Sequence, residues 1–408
     1  MRAVSVLEAR LLHAFRSRDF RLLWTGQTIS LVGNGAYLVA LGWKTLEVTG
    51  NPGSLALVLM AEGIAMLATL LIGGALADRY SRRSLMIASD VARFAIVAAM
   101  ALVDATGHLS FSLLILFAVG VGLGDGFFHP AFGGIVPLVV ERPSLASANA
   151  LISVSRNGSF ALGPALAGAL YEPAGSSAVF AVDAATFVAA AAFVWASRPR
   201  IVQRAPGGGT LEGIAEGARY VAGVPWLWIS IALAAVVLMI GFGPFQSLLP
   251  SLVDSHFHQG VGAYGLLLAL QAIGMVIGAL VLGQVNPRRH RVVLAYGFWA
   301  LNDLCVVALV LSGSFDFAAS LITLRGFFIG FGVALWETVL MELVPEDKLS
   351  RVISLDFFGS LGLLPVGYAL TAGLTGLFSA REILLAGFSL GFVLWILPLS
   401  LSRVRSAA

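Results

Sequence analysis

The segment GGALADRYSRR, residues 73–83, places one carboxylate, Asp78, among three guanidinium groups, Arg79, Arg82 and Arg83, between two long apolar stretches. A carboxylate at a helix end beside arginines forms ion pairs and accepts hydrogen bonds from free backbone N–H groups, which suits a reversible electrostatic contact better than bond-breaking chemistry. A second chemically able set is scattered through the apolar stretches themselves: Glu62, Asp90, Arg93, Asp125, Arg156, Asp183, Asp303, Arg325, Glu337 and Asp356. Each costs roughly 2.5 to 3.5 kcal/mol at the centre of a membrane helix, so each marks an ion pair or a proton site. Glu62 and Asp125 are the foremost proton-coupling candidates, because burial and a movable arginine act in opposite senses on such a carboxyl. Arg156 would be the salt-bridge partner of Asp125, since the two lie near mid-depth in successive antiparallel runs; the same pair serves equally as a purely structural couple. Asp303, Arg325 and Glu337 are the corresponding candidates in the second half of the chain.

Other chemistries lack their residues. No Walker sequence is present, so ATP does not drive the protein directly. The glycines of GVGLGDG, residues 120–126, follow no strand and read as helix packing rather than a nucleotide loop. His256 and His258 have no further ligands nearby to complete a metal site, and no metal or other cofactor is expected beyond a proton gradient. His129, alone in an apolar run, reads as a helix contact. The single cysteine, Cys305, excludes a disulfide within the chain.

The elements that must hold these groups are membrane helices. Of 408 residues, 58% are hydrophobic and only 12% charged, against about 25% charged in a soluble domain. Twelve continuous apolar runs follow one another, at 21–46, 54–77, 84–104, 109–139, 145–171, 177–197, 226–253, 261–285, 292–312, 317–344, 349–378 and 383–402. Most reach the roughly 20 residues that a helix needs to cross the hydrocarbon, and none alternates as a barrel strand would. The expected fold is therefore an all-α integral membrane protein of twelve transmembrane helices in two pseudo-symmetric six-helix bundles. A cytoplasmic tail (1–20) precedes the first bundle (21–197), a linker (198–224) separates it from the second bundle (225–402), and a short tail (403–408) closes the chain. Gly207–Gly209 would form a flexible joint in the linker and residues 211–220 a short amphipathic helix; Leu7, Leu11 and Leu12 suggest an interfacial helix in the first tail.

Most of the 25 Lys and Arg residues fall in the tails and in the loops after even-numbered runs, leaving Lys44 and Arg381 on the other side. The positive-inside rule then puts both termini in the cytoplasm of a multi-pass protein of the inner (plasma) membrane. The same spread accounts for the net charge of +3 without nucleic acid as a partner, and no signal-peptide cleavage site is evident. The two halves echo each other faintly: Val136-Pro137 overlays Val344-Pro345, and Arg82-Arg83 falls near Arg288-Arg289 at a similar shift, as a duplicated bundle requires.

GGALADRYSRR, through Gly74, Asp78, Arg79, Arg82 and Arg83, resembles the signature loop G-x-x-x-D-R-x-x-R-R of the major facilitator superfamily, with Ser81 where a glycine is usual. RNGSFALGPALAGAL, through Gly158, Gly163, Pro164 and Gly168, resembles the antiporter motif of its drug-exporting members; Pro164 would bend the helix and the glycines would admit a close neighbour. The first run is similar to that of the branch containing enterobactin and macrolide efflux proteins, with Asn34 where an aspartate is common. The resemblance implies a conformational latch in which Asp78 meets the start of the eleventh helix, with Arg351 as ion partner and Asp90 and Glu141 as partners of the loop arginines. It also implies a drug:proton antiporter-like exporter, a monomer in the lipid bilayer, whose partners are protons and a small amphiphilic substrate. Gln27, Asn34, Tyr37, Asp125, Phe128, Phe245, Gln246, Trp336 and Glu337 are the expected substrate contacts, aromatic rings for an apolar body and polar groups for orientation. A uniporter or a lysophospholipid-type lipid transporter is the alternative; an integral-membrane enzyme would need acidic or metal-binding clusters in large loops.

Overall fold

The computed structural model describes residues 13–200, 210–285, 287 and 289–400. Among them there are helices and no strands. Ten helices are long and apolar enough to cross a membrane. One of these, Leu145–Ala196, is two spans merged through Gly175, whose φ of 79° and ψ of 173° lie in a region open essentially to glycine. Adding the first helix, Arg18–Thr49, the twelve expected spans are all present, and below they keep their ordinal numbers. The second is Ser54–Arg79, the third Arg82–Ala105, the fourth Phe111–Val139, and the fifth and sixth are residues 145–174 and 176–196. The seventh is Pro225–Ser255, the eighth Val261–Val285, the ninth Arg291–Leu311 and the tenth Phe315–Leu343. The eleventh is Arg351–Leu374 and the twelfth Ala380–Ser400. A linker helix, Thr210–Gly223, stands where the amphipathic segment was expected; the tail leucines and Gly207–Gly209 lie outside the described residues.

Serine sets where several spans begin. Ser17, Ser81, Ser110, Ser314 and Ser379 are N-caps whose side chains each accept from a backbone N–H in the first turn, relieving donors that lipid would leave unpaired. Ser81 explains its own departure from the signature loop: its φ of −62° needs no glycine, and its hydroxyl caps the third span.

The chain forms two compact units. The first comprises the described residues of Met1–Asn51, Val58–Gln203 and Val261–Ala269; the second comprises those of Pro52–Leu57, Arg204–Gly260 and Leu270–Ala408. With no hydrophobic driving force between helices in lipid, each unit closes by backbone approach at glycines. In the fourth span, Gly120 and Gly124 face Ile96 and Arg93 of the third, while Gly122 and Gly126 face Glu62 and Thr69 of the second. Residues two apart point to nearly opposite sides of a helix and residues four apart share a side, so the GVGLGDG pattern packs two neighbours at once. The second unit repeats the device between the eighth and tenth spans, where Gly326 and Gly330 lie against the carbonyls of Gln271 and Met275, and Gly274 and Gly278 against those of Thr323 and Phe327.

The seventh span widens into one π-helical turn, Leu238–Phe242, and the Gly243 N–H reaches back to the Leu238 carbonyl. Pro244 follows at once. Proline lacks an N–H and its ring crowds the carbonyl four residues earlier, so the wider turn gives it room.

Candidate functional site

Each unit carries a buried guanidinium laid over phenyl rings. In the first, Arg93 of the third span donates to Asp125 Oδ1 of the fourth at 2.6 Å and to Asp90 Oδ1, one turn back, at 2.5 Å. Its guanidinium carbon lies 4.3 Å from the Phe128 ring centre and 4.4 Å from that of Phe187, so two carboxylates and two aromatic faces offset the cost of burying the cation. Gly124 makes the space: a Cβ there would stand 2.6 Å from Arg93 Cγ. Asp183 of the sixth span is also buried, within electrostatic reach of Arg93 and Asp125, and a Cβ on Gly33 would sit 2.5 Å from its carboxyl. Glu62 of the second span shares this field with Asp125 and Asp183.

Three carboxyls, Asp90, Asp125 and Asp183, thus interact with Arg93 among the described residues, and Glu62 interacts in turn with Asp125 and Asp183. Glu62 Oε2, Asp90 Oδ2, the Tyr37 hydroxyl and Gln27 Nε2 are buried without a hydrogen-bond partner among the described residues. The Asp90 side chain is fully buried and that of Arg93 is 2% exposed, whereas that of Asp125 is 20% exposed. Asp125 is therefore the opening of the ion-paired trio.

In the second unit the polarity is reversed. The acid, Asp303, stands on the ninth span and the guanidinium, Arg325, on the tenth; both are buried and interact electrostatically. Arg325 donates to the Gln271 side-chain oxygen and lies 4.0 Å from the Phe245 ring centre, with Phe388 farther off at 6.0 Å. Asn302 donates to Asp303 Oδ1 at 2.7 Å.

This geometry corrects one expected pairing. Asp125 binds Arg93, and Arg156 is exposed on the fifth span with no ion pair among the described residues. Asp90 likewise serves Arg93 rather than the loop arginines, and Glu141 is exposed just beyond the fourth span. Arg82 donates instead to the Gly134 carbonyl, and Arg83 to the carbonyls of Val194 and Trp195, so these two arginines tie down the carbonyl-rich ends of the fourth and sixth spans. Arg79 is exposed, Gly74 has open space around it, and the Asp78 side chain lies outside the described part. Arg351 pairs with Glu216 of the linker helix.

In the antiporter motif, Gly163 meets the first span, where a Cβ would stand 2.6 Å from the Val32 carbonyl, and Gly168 meets Gly262. A Cβ on Gly158 would meet nothing within 4 Å, and Pro164 lies inside the fifth span. Among the expected substrate contacts, Gln246 accepts from the Tyr368 hydroxyl at 2.6 Å and Trp336 donates to Asp356 at 3.2 Å. Asn34 is half-buried and Glu337 exposed. Arg93 and Asp183 were visible only as in-span charges. The stronger signal was the i,i+3 spacing of Asp90 and Arg93, which puts both on one helix face.

Phe187→Leu is expected to lower stability by about 2 kcal/mol, through the lost cation–π face and the space left by the ring. Unfolding midpoints in detergent would report it, with the exposed Phe160→Leu unchanged within ~0.5 kcal/mol as control.

The family described as transmembrane secretion effectors matches residues 10–289. Macrolide efflux protein A of Streptococcus pyogenes is 25% identical over 86% of this chain and 88% of its own length. The enterobactin exporter EntS of Salmonella paratyphi A is 26% identical over 95% of this chain and 93% of its own. Among solved structures, an inward-facing, unoccupied bacterial homologue of the human lysosomal transporter Spinster superposes with a TM-score of 0.70 at 16% identity, covering 95% of this chain and 96% of that one.

Proposed function

Because this chain belongs to the transmembrane secretion effector family of the major facilitator superfamily, we propose that it exports an amphiphilic small molecule, a drug, siderophore or metabolite, by alternating access in exchange for protons. It is a multi-pass membrane transporter. Its placement in the inner membrane with cytoplasmic termini is part of the proposal and is supported by the distribution of its arginines. The similarity to a macrolide efflux protein and an enterobactin exporter supports outward transport of molecules with an apolar body.

One observation carries the proton half of the reading: four carboxyls share one buried electrostatic network with a single guanidinium, and the carboxyl with the most exposed side chain in the ion-paired trio is Asp125. A cluster with more acids than cations has capacity for protons, and Asp125 is where they would enter and leave. When Asp125 is neutral, Arg93 retains Asp90 and the two phenyl rings, so the guanidinium stays satisfied through the exchange.

Proteoliposomes test this with a macrolide and with enterobactin as probes. A pH gradient should accelerate transport of at least one probe by the wild type, and Asp125→Asn should cut the gradient-driven rate about tenfold or more while exchange without a gradient persists. Wild-type transport that ignores the gradient would replace this reading with that of a uniporter.

A further inference from the structure

Asp183 stands outside the ion-paired trio and is 1% exposed. The sixth span carries Phe180, Asp183 and Phe187 on one helix face, at positions i, i+3 and i+7. The Phe187 ring centre lies 4.4 Å from the Arg93 guanidinium carbon, and the Phe180 ring centre lies 6.0 Å from that of Tyr37 on the first span. The place of Asp183 on that face is therefore between a cation and a phenol. Gly33, one turn before Tyr37, admits the carboxyl against the first span, where a Cβ would stand 2.5 Å from Asp183 Oδ1. A carboxyl serving only as an anchor would be well bonded. The Thr186 hydroxyl instead donates to the Asp183 carbonyl at 2.7 Å and reaches Oδ1 at 3.4 Å.

The phenol is also unmet. Tyr37 is 5% exposed, and its hydroxyl has no hydrogen-bond partner among the described residues. Buried tyrosine hydroxyls are ordinarily paired, so one left unpaired beside ionisable groups is a donor and acceptor held in reserve. Three carboxyls act on it: Glu62 of the second span, Asp183 of the sixth and Asp125 of the fourth. Asp125 in turn meets Arg93 and Asp90 of the third span and His129 of its own. Arg93 acts on Asp125 and Asp183 alike. One guanidinium thus balances whichever of the two is the anion.

We infer that Asp183 is the inner holder of the exchanged proton and that the Tyr37 hydroxyl carries it between Asp183 and Asp125. Asp125, whose side chain is 20% exposed, takes the proton first. It then gives that proton to the Tyr37 oxygen as the hydroxyl gives its own to the Asp183 carboxylate. One O–H bond forms and one breaks on the tyrosine, which stays neutral. The negative charge passes from Asp183 to Asp125, where Arg93 meets it with a direct hydrogen bond. The assignment rests on the proton-exchange reading and adds to it a store and a carrier.

The test counts protons on the full chain in detergent micelles, with no transported compound present. A stopped-flow jump from alkaline to mildly acidic pH, read by a soluble indicator dye, gives the number of protons bound and their rates. Asp183→Asn, nearly equal in volume, should bind a single proton fewer than the wild type, and infrared difference spectra across the same jump should lose a protonated-carboxyl band. Asp183→Glu, which keeps the carboxyl, should bind the full number, separating a lost carboxyl from a damaged fold. Tyr37→Phe, which keeps the ring beside Phe180, should also bind the full number. The phase missing from Asp183→Asn should be about a hundredfold slower in it, the low end of what a positioned proton-transfer group contributes. An unchanged proton count in Asp183→Asn, or a deficit in Asp183→Glu as large as in Asp183→Asn, overturns the holder. That phase at its wild-type rate in Tyr37→Phe overturns the carrier. The exchange reading itself fails on a different result, wild-type transport that ignores the gradient, so the two failures are distinguishable.

Discussion

Arg93→Met should cost about 3 to 5 kcal/mol of stability, the largest loss expected from any single replacement in the first unit. The arginine supplies both hydrogen-bond donors that Asp90 and Asp125 use, and it is the cation that also acts on the buried Asp183. Methionine fills much of the volume and removes the charge, leaving Asp90, whose side chain is fully buried, as an anion with neither water nor partner. The explanation is separable from simple loss of packing. Adding Asp90→Asn and Asp125→Asn to Arg93→Met removes the orphaned charges, and this triple variant should regain most of the loss, because neutral replacement of a whole buried ion set is often tolerated where removal of one member is not. Arg93→Lys should recover little, since an ammonium lacks the planar fork that reaches two carboxylates and lies flat on Phe128 and Phe187. Chemical unfolding in mixed micelles measures all three, and a triple variant no more stable than Arg93→Met would refute the electrostatic account.

Gly122→Ala should be the most damaging single-methyl change in the fourth span, at about 1 to 3 kcal/mol. An added Cβ would run into the Glu62 carbonyl and stand 3.0 Å from its carbon and 3.2 Å from Ala65 Cβ. Backbone cannot yield as a side chain does, so the second and fourth spans must separate, carrying Glu62 away from Asp125. Gly133 is the internal control: it lies in the same helix with nothing near a prospective Cβ. Gly133→Ala should be neutral or stabilising by up to ~1 kcal/mol from helix propensity alone. Equal effects at the two positions would mean that the close approach at Gly122 contributes nothing.

The spans were legible in the sequence because the hydrocarbon imposes one length and one polarity on every crossing, and interruptions at Gly50–Gly53 or Gly107–His108 stand out against that background. The merging of the fifth and sixth spans was less visible. Residues 172–176 read as a break, yet one glycine with an unusual backbone suffices to turn the chain. At the site, Glu62, Asp125, Asp303 and Arg325 could be selected by cost alone, since charge in lipid stands out wherever it falls. Partner choice could not. Arg156 and Asp125 lie at similar depth, but depth says nothing about rotation, and a helix apolar on all sides leaves no stripe from which to read its facing. The glycines held that information: Gly124 beside Asp125 announces a bulky neighbour at that face, and Arg93 is the residue that needs the room. The π-helical turn before Pro244 was hidden for a different reason, because proline predicts a disturbance without specifying how the backbone absorbs it.

The reversed polarity of the two buried ion sites bears on the history of the molecule. If both halves descend from one ancestral gene, the guanidinium has since changed helix in one copy, and the copies are no longer interchangeable. Grafting the third and fourth spans onto the positions of the ninth and tenth would carry Arg93 together with Asp90 and Asp125, but would remove Arg325 and leave Gln271 and Phe245 without the guanidinium they hold. Divergence of this kind makes the duplication irreversible: each half now depends on its own arrangement, and neither twin could serve as a template for rebuilding the other.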